Sequence, residues 1–166
     1  KISKQEKNIK EFMRGTSVEV TPGGARAIED FSEILRPGTI VYVTFLPGSD
    51  FNATVETVSR LKREGFYPIP HFAARSIESE KILEEGLERL KEEADTTEAL
   101  LIGGGVDNPL GPFSASIEVL RTGLFDKYGF KKIGVAGHPE GSPDITPQEC
   151  AQAIQEKNDF SGHTDA

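Results

Sequence analysis

Apolar and polar residues follow two alternating periods along this chain. Five short apolar runs predict strands, and a segment with apolar residues at helical spacing follows each of them. The predicted strands span residues 17–20, 39–45, 67–72, 99–102 and 132–136. They begin roughly thirty residues apart, the length of a strand with its crossover helix. The pattern therefore predicts an α/β fold with a parallel sheet.

Local signals predict where the helices begin and where one strand lies. Pro68 and Pro70 remove two backbone donors from the third strand, which predicts that this strand is at an edge of the sheet. The predicted helices are a basic segment over residues 1–14, a segment with Ile28, Phe31 and Leu35 on one face, and a helix capped by Ser49 or Asp50 and ended by Gly65. Further helices are predicted to open at Ser76, to span residues 114–124, and to begin with the capping box of Thr146 and Glu149.

Two architectures fit five successive strand and helix units. One is an open, doubly wound parallel sheet, and the other is a (β/α)8 barrel of the TIM type. A complete barrel needs about 250 residues, so the chain would supply only its first five units. We expect residues 1–16 to form an N-terminal helical extension and residues 17–166 to form the partial barrel domain. We also expect the remaining units to come from a longer protein or from another chain.

Composition limits the cellular location and the classes of partner that we expect for this protein. The chain has 36% hydrophobic residues and no apolar run of membrane-spanning length, so we expect one soluble globular domain without a targeting segment. Its formal net charge of -8 argues against nucleic acid or an anionic membrane as the main partner. The single cysteine, Cys150, excludes an internal disulfide, favours a cytoplasmic location, and is expected to be a small buried residue.

Polar or glycine-rich residues lie at or just beyond the carboxyl end of every predicted strand. In strand order, these residues are Glu19, Thr44, His71, the run Gly103, Gly104 and Gly105 with Asp107, and His138 with Glu140. Because parallel α/β folds build their sites at the carboxyl ends of strands, the five sets predict one site. Each has a structural alternative: Glu19 can simply face solvent, His71 can be a core histidine, and the glycines can form a tight turn. His71, His138 and His163 lie in different loops, so no metal site is predicted.

The segments SVEVTP (17–22), VYVTF (41–45), PIPHF (68–72), ALLIGGG (99–105) and IGVAGHPEGSP (133–143) occur in an order and spacing that resembles the methylenetetrahydrofolate reductase family. The resemblance implies a (β/α)8 barrel oxidoreductase of one-carbon metabolism and methionine biosynthesis, found in the cytoplasm as a homo-oligomer. The implied reaction reduces methylenetetrahydrofolate to methyltetrahydrofolate, with FAD as cofactor and NAD(P)H as co-substrate.

The resemblance also implies roles for individual residues. Glu19 matches a general acid that protonates the folate ring nitrogen, and Val18, Val20 and Pro22 around it are expected to shelter it from water. The positions implied to contact the cofactor are Thr44, His71, Gly103, Gly104, Gly105, His138 and Lys157, with Lys157 at its phosphate-bearing end. Glu19 and Asp107 are the residues implied to contact the substrate.

Three positions depart from the family pattern. Gly103-Gly104-Gly105 stands where the family usually has Arg-Gly-Asp, His138 stands where it has a tyrosine, and Ser142 replaces a histidine. Asp107 can supply the carboxylate of the first motif, but the segment contains no arginine. Two alternatives therefore stay open: a folate- or flavin-binding module without reductase activity, and a flavin-independent one-carbon enzyme that acts on methyltetrahydrofolate.

Overall fold

The computed structural model describes residues 3–46, 48, 50–141, 143 and 145–162, without the side chain of Lys10. The expectations for Ser49, Ser142 and His163 fall outside the described residues. The strands are β1 (Val18–Val20), β2 (Ile40–Val43), β3 (Tyr67–Ala73), β4 (Glu98–Ile102) and β5 (Lys132–Val135). The helices of the described ranges are α1 (Lys4–Phe12), α2 (Pro22–Arg26), α3 (Phe51–Arg63), α4 (Glu80–Ala94), α5 (Ser116–Leu120), α6 (Leu124–Lys127) and α7 (Pro147–Ser161).

The five strands form one parallel sheet in the order β1-β2-β3-β4-β5. All five predicted strands are confirmed, as are the α/β class and the parallel sheet. The described strands make an open sheet with β1 and β5 at its edges. Within the described ranges, no helix combines the length and the apolar character needed to cross a bilayer.

The two faces of the sheet carry different side chains, one packed into the core and the other outside it. On one face, Val41, Val43, Phe72 and Leu101 pack into the hydrophobic core with the apolar sides of α3 and α4. Strand alternation places Glu19, Tyr42, His71 and Leu100 on the other face, and none of these belongs to the core cluster. We call this second face the site face.

β3 is a central strand, paired with β2 on one side and β4 on the other, so the predicted edge position is wrong. The Tyr67 backbone N–H donates to the Thr39 carbonyl at 3.0 Å, on the β2 side. Successive backbone N–H groups along a strand point to opposite neighbours. The N–H groups that Pro68 and Pro70 lack would therefore have pointed towards β4. Pairing with β4 begins only at His71, which is opposite Leu100. The prolines therefore lie in the part of β3 that precedes its pairing with β4.

The continuous helix expected through Ile28, Phe31 and Leu35 is also wrong. α2 ends at Arg26, and a separate 3-10 turn covers Phe31–Glu33. Asp30 is extended, and its carboxylate accepts from the Ser32 backbone N–H at 2.8 Å, which starts the new turn. The carbonyls of Ala25, Ile28 and Glu29 accept from the guanidinium of Arg60 at 2.8, 2.8 and 2.9 Å. The break in the helix is therefore stabilised by a residue of α3.

Other helix boundaries are confirmed in part. Asp50 caps α3, and Thr146 forms the predicted capping box with Glu149. α4 begins after Ser79 rather than at Ser76, which lies in a 3-10 turn. The helix expected over residues 114–124 is split into α5 and α6, because Gly123 has a left-handed backbone with φ of 71°.

Candidate functional site

Glu19 and His71 meet on the site face. The Glu19 Oε2 atom lies 4.0 Å from the His71 Nε2 atom, although β2 separates their strands. The Glu19 side chain is 62% exposed, whereas the His71 side chain is 7% exposed. The expected shelter around Glu19 is not found, because Val18 and Val20 pack against the core on the opposite face. The pair thus joins a hydrated carboxylate to a buried imidazole.

The imidazole of His71 makes no hydrogen bond to a described residue through its Nε2 atom. Its ring contacts that of Tyr42, with centroids 5.5 Å apart and an interplanar angle of 59°. The Nε2 atom is buried and has no hydrogen-bond partner among the described residues, since Glu19 at 4.0 Å is too far for a hydrogen bond. Burial lowers the pKa of His71 and the charge of Glu19 opposes this shift, so the imidazole is neutral at neutral pH. A buried polar atom without a partner is costly, and a bound ligand can supply the missing hydrogen bond.

Thr44 provides a second unpaired polar atom next to His71. Its backbone N–H donates to the Val20 carbonyl at 3.0 Å, which fixes Thr44 where β2 ends. The pairing of Val43 with Pro70, continued by one residue, sets Thr44 beside His71. The Thr44 Oγ1 atom is buried and has no partner among the described residues. Two orphaned groups therefore lie at the carboxyl ends of adjacent strands.

The glycine run after β4 leaves open space at the same edge of the sheet. A Cβ atom added at Gly103 or Gly105 would meet nothing within 4 Å. Gly104 has a left-handed backbone, with φ of 93°, and its added Cβ would lie 3.2 Å from the Ala73 Cβ. Glycine at 104 is therefore required by backbone conformation, whereas the absence of side chains at 103 and 105 leaves room for a ligand.

Arg75 lies beside these glycines, and reasoning from the sequence missed it. Its backbone N–H donates to the Gly103 carbonyl at 2.9 Å, and its Nε donates to the Ser114 carbonyl at 2.9 Å. The Leu110 backbone N–H in turn donates to the Arg75 carbonyl at 2.8 Å. The sequence signal was available, because Arg75 lies two residues after the end of β3. The guanidinium holds the chain between β4 and α5, in which Asp107 is exposed.

Residues near the end of β5 form a third group. Lys157 of α7 is half-buried, and its Nζ donates to the Ala136 carbonyl at 3.2 Å. Desolvation lowers the pKa of Lys157. His138 is exposed with a left-handed φ of 46°, and its carbonyl accepts from the Gly141 backbone N–H at 2.9 Å in a tight turn. The structure thus places Lys157 at the predicted strand end and His138 on the surface of the turn after it.

Three groups of candidate residues consequently lie at or just beyond the carboxyl halves of the strands. Glu19, His71 and Thr44 form the first, the glycine run with Arg75 forms the second, and Lys157 with the turn at His138 forms the third. Among the described residues, no cluster of His, Cys, Asp and Glu is arranged to hold a metal ion. Cys150 is buried and free, as predicted.

Comparison of the chain with protein-family models finds no match. The groups with direct structural support are the carboxylate of Glu19, the neutral imidazole of His71, the hydroxyl of Thr44 and the half-buried amine of Lys157.

Proposed function

We propose that the protein is a reductase of the methylenetetrahydrofolate reductase type, which reduces methylenetetrahydrofolate with a flavin and NAD(P)H. The observation that carries the proposal is the carboxylate of Glu19 opposite the unpaired Nε2 atom of His71, at the carboxyl ends of parallel strands. In this proposal the described sheet is the first five units of a (β/α)8 barrel, and the site face lines its interior. The strand order, which follows the chain without reversal, supports that arrangement.

The residues at the site fit a flavin. Its ring system carries both donors and acceptors, and the unpaired Thr44 Oγ1 and His71 Nε2 atoms require such partners. Gly103 and Gly105 leave the space that a flat ring needs, and His138 borders the same edge of the sheet. The amine of Lys157 would bind the phosphate-bearing end. The flavin, when bound, supplies hydride transfer, and the protein supplies position and electrostatics.

Glu19 is assigned the transfer of a proton to the folate ring nitrogen. Proton transfer to a substrate takes place in a site from which water has been expelled. Since the Glu19 side chain is 62% exposed in the free protein, a bound folate must cover it and provide the desolvation. The neutral His71 adds no positive charge that would oppose protonation of its neighbour. Asp107, on the exposed chain after the glycines, is the second carboxylate for the folate.

The test is substitution of Glu19 in the full-length protein. Glu19→Gln should keep flavin reduction by NAD(P)H and lose folate reduction by about 10²-fold or more, because the amide cannot donate the proton. Glu33→Gln, which changes an exposed carboxylate in the 3-10 turn, is the control and should leave both half-reactions unchanged. Folate turnover at the parent rate in Glu19→Gln would contradict the assignment.

A second candidate is a folate-binding protein that does not use a flavin, either without catalysis or acting on methyltetrahydrofolate. It is favoured by the arginine at the glycine run, whose Nε donates to the Ser114 carbonyl. That guanidinium is used within the protein and does not replace the arginine of the Arg-Gly-Asp pattern. The absorbance of the purified full-length protein distinguishes the candidates. A yellow protein that NAD(P)H bleaches supports the reductase, and a colourless protein that binds folate supports the second candidate.

A further inference from the structure

A cavity lies between α3 and α4, in the layer of helices rather than on the site face. Its volume is about 300 Å³, at the lower end of the range for small-molecule sites. Its apolar walls come from Phe45, Phe51, Ile77 and Ile82. The rings of Phe45 and Phe51 are in contact, with centroids 5.9 Å apart. None of the groups assigned to the proposed reaction lines this cavity.

A glycine on α4 allows the aromatic wall to form. A Cβ atom added at Gly86 would lie 2.2 Å from the Phe51 Cε1 atom, so a larger residue would displace the ring. The Phe51 ring also packs against the ring of Phe72 in β3, at a centroid distance of 5.4 Å. The wall is therefore part of the packed interior, and the cavity does not depend on a mobile side chain for its shape.

The charged groups at this cavity are predominantly acidic. Asp50, Glu78 and Glu85 line it and are exposed to solvent. The lining guanidinium of Arg89 is already engaged, by the amide oxygen of Asn52 and, at 2.7 Å, by the carboxylate of Glu93. Its charge is therefore balanced within the protein. Glu85 is also paired, with the Lys81 Nζ atom at 3.3 Å in a solvent-exposed contact, so the net negative charge at the mouth of the cavity comes mainly from Asp50 and Glu78. These carboxylates attract a cation and repel an anion.

A buried hydroxyl at the wall lacks a partner. Ser76 lines the cavity and is 5% exposed, and its Oγ atom has no hydrogen bond to any described residue. An unpaired buried hydroxyl costs free energy, and a polar group of a ligand would recover it. This hydroxyl is independent of the acidic residues at the mouth, and it is the buried polar group at the wall that is left for a ligand to pair with.

We propose that the cavity between α3 and α4 binds a small organic cation. Such a molecule has an apolar part, called its body here, and a protonated amine. The body fits the walls formed by Phe45, Phe51 and Ile82, and the ammonium group faces Glu78 and Glu85. The Ser76 Oγ atom accepts one ammonium hydrogen bond. This binding site is separate from the proposed reductase site, and its test does not depend on turnover.

Three probes of the same shape and different charge test the proposal on the full chain: benzylamine, benzyl alcohol and phenylacetate. Titrations followed by NMR should show that benzylamine binds most tightly, benzyl alcohol more weakly and phenylacetate least. The methyl resonances of Ile77 and Ile82 should shift with benzylamine, whereas those of the exposed Ile34 and Ile154 should not. Equal affinity for the three probes, or no binding of benzylamine at millimolar concentration, would overturn the proposal.

A charge variant tests the role of the mouth. Glu78→Gln with Glu85→Gln should weaken benzylamine binding about fivefold and leave benzyl alcohol unchanged, because partly hydrated ion pairs are worth little individually. Glu88→Gln with Glu92→Gln is the matched control, since both residues are exposed on α4 and neither lines the cavity. An equal loss in the control pair would show that overall charge, rather than the mouth, attracts the amine, and would overturn the assignment.

Discussion

Glu19 of β1 reaches across β2 to His71 of β3, with 4.0 Å between its Oε2 atom and Nε2. The carboxylate is in water and the imidazole is buried, so the two partners experience different surroundings. Burial lowers the pKa of His71 more than the nearby charge raises it. At neutral pH the contact is therefore between an ion and a neutral ring, and His71 keeps an unpaired nitrogen.

The first prediction concerns this contact. Glu19→Gln removes the charge that opposes desolvation, so the pKa of His71 should fall further below its ordinary value of 6.5. NMR titration of the His71 ring protons measures this change directly. Glu33→Gln alters an exposed carboxylate in the turn after α2 and is the control. An increase in the pKa of His71 in Glu19→Gln would show that the carboxylate does not act on the imidazole.

A second prediction links His71 to stability. The unfolded chain takes up a proton at His71 near pH 6.5, whereas the folded protein, with its lowered pKa, does so only at lower pH. The free energy of unfolding should therefore fall as pH is lowered from above 6.5 towards the folded pKa, by at most about 1.4 kcal/mol per pH unit. Urea unfolding at a series of pH values measures the slope. His71→Gln should have a shallower slope than the parent, and an identical slope would contradict the prediction.

The third prediction concerns the contact between α3 and α4. Gly86→Ala should lower the free energy of unfolding by about 1–2 kcal/mol, because overpacking costs more than the gain in helix propensity. The added Cβ would lie 2.2 Å from the Phe51 ring. Gly23→Ala in α2 is the control, since its added Cβ meets only the Thr21 Oγ1 atom, at 4.0 Å. Urea unfolding compares them, and a Gly86→Ala protein as stable as the parent would argue that the ring moves freely.

The fourth prediction concerns Arg60, whose guanidinium binds the carbonyl of Ala25 in α2 and those of Ile28 and Glu29 after it, and lies over the Phe31 ring at 5.1 Å. Arg60→Lys should destabilise the protein by about 2 kcal/mol, because one ammonium group cannot satisfy this planar set of acceptors. Arg63→Lys changes an exposed arginine of the same helix and should be neutral within about 0.5 kcal/mol. Equal midpoints in urea for the two variants would contradict the prediction.

Sequence patterns predicted much of the fold because its strands are apolar runs between clear breakers. They also predicted which strand ends carry polar chemistry, since parallel strands present their carboxyl ends on one edge. The approach of Glu19 to His71 required the strand register, which residue patterns do not contain. The helix expected through Ile28 failed because its carbonyls bind Arg60, more than thirty residues later in the chain. Contacts between distant segments decided the points that local patterns missed.

The two prolines of β3 have a consequence for how the sheet assembles. A β4 strand displaced by two residues towards the start of β3 would require donors at positions 68 and 70, where proline has none. Such a slip keeps every side chain on its original face, so the hydrophobic pattern alone does not prevent it. The prolines thus exclude misaligned pairings that the core would accept. In the native alignment, pairing between β3 and β4 starts at His71 with Leu100, directly after the second proline.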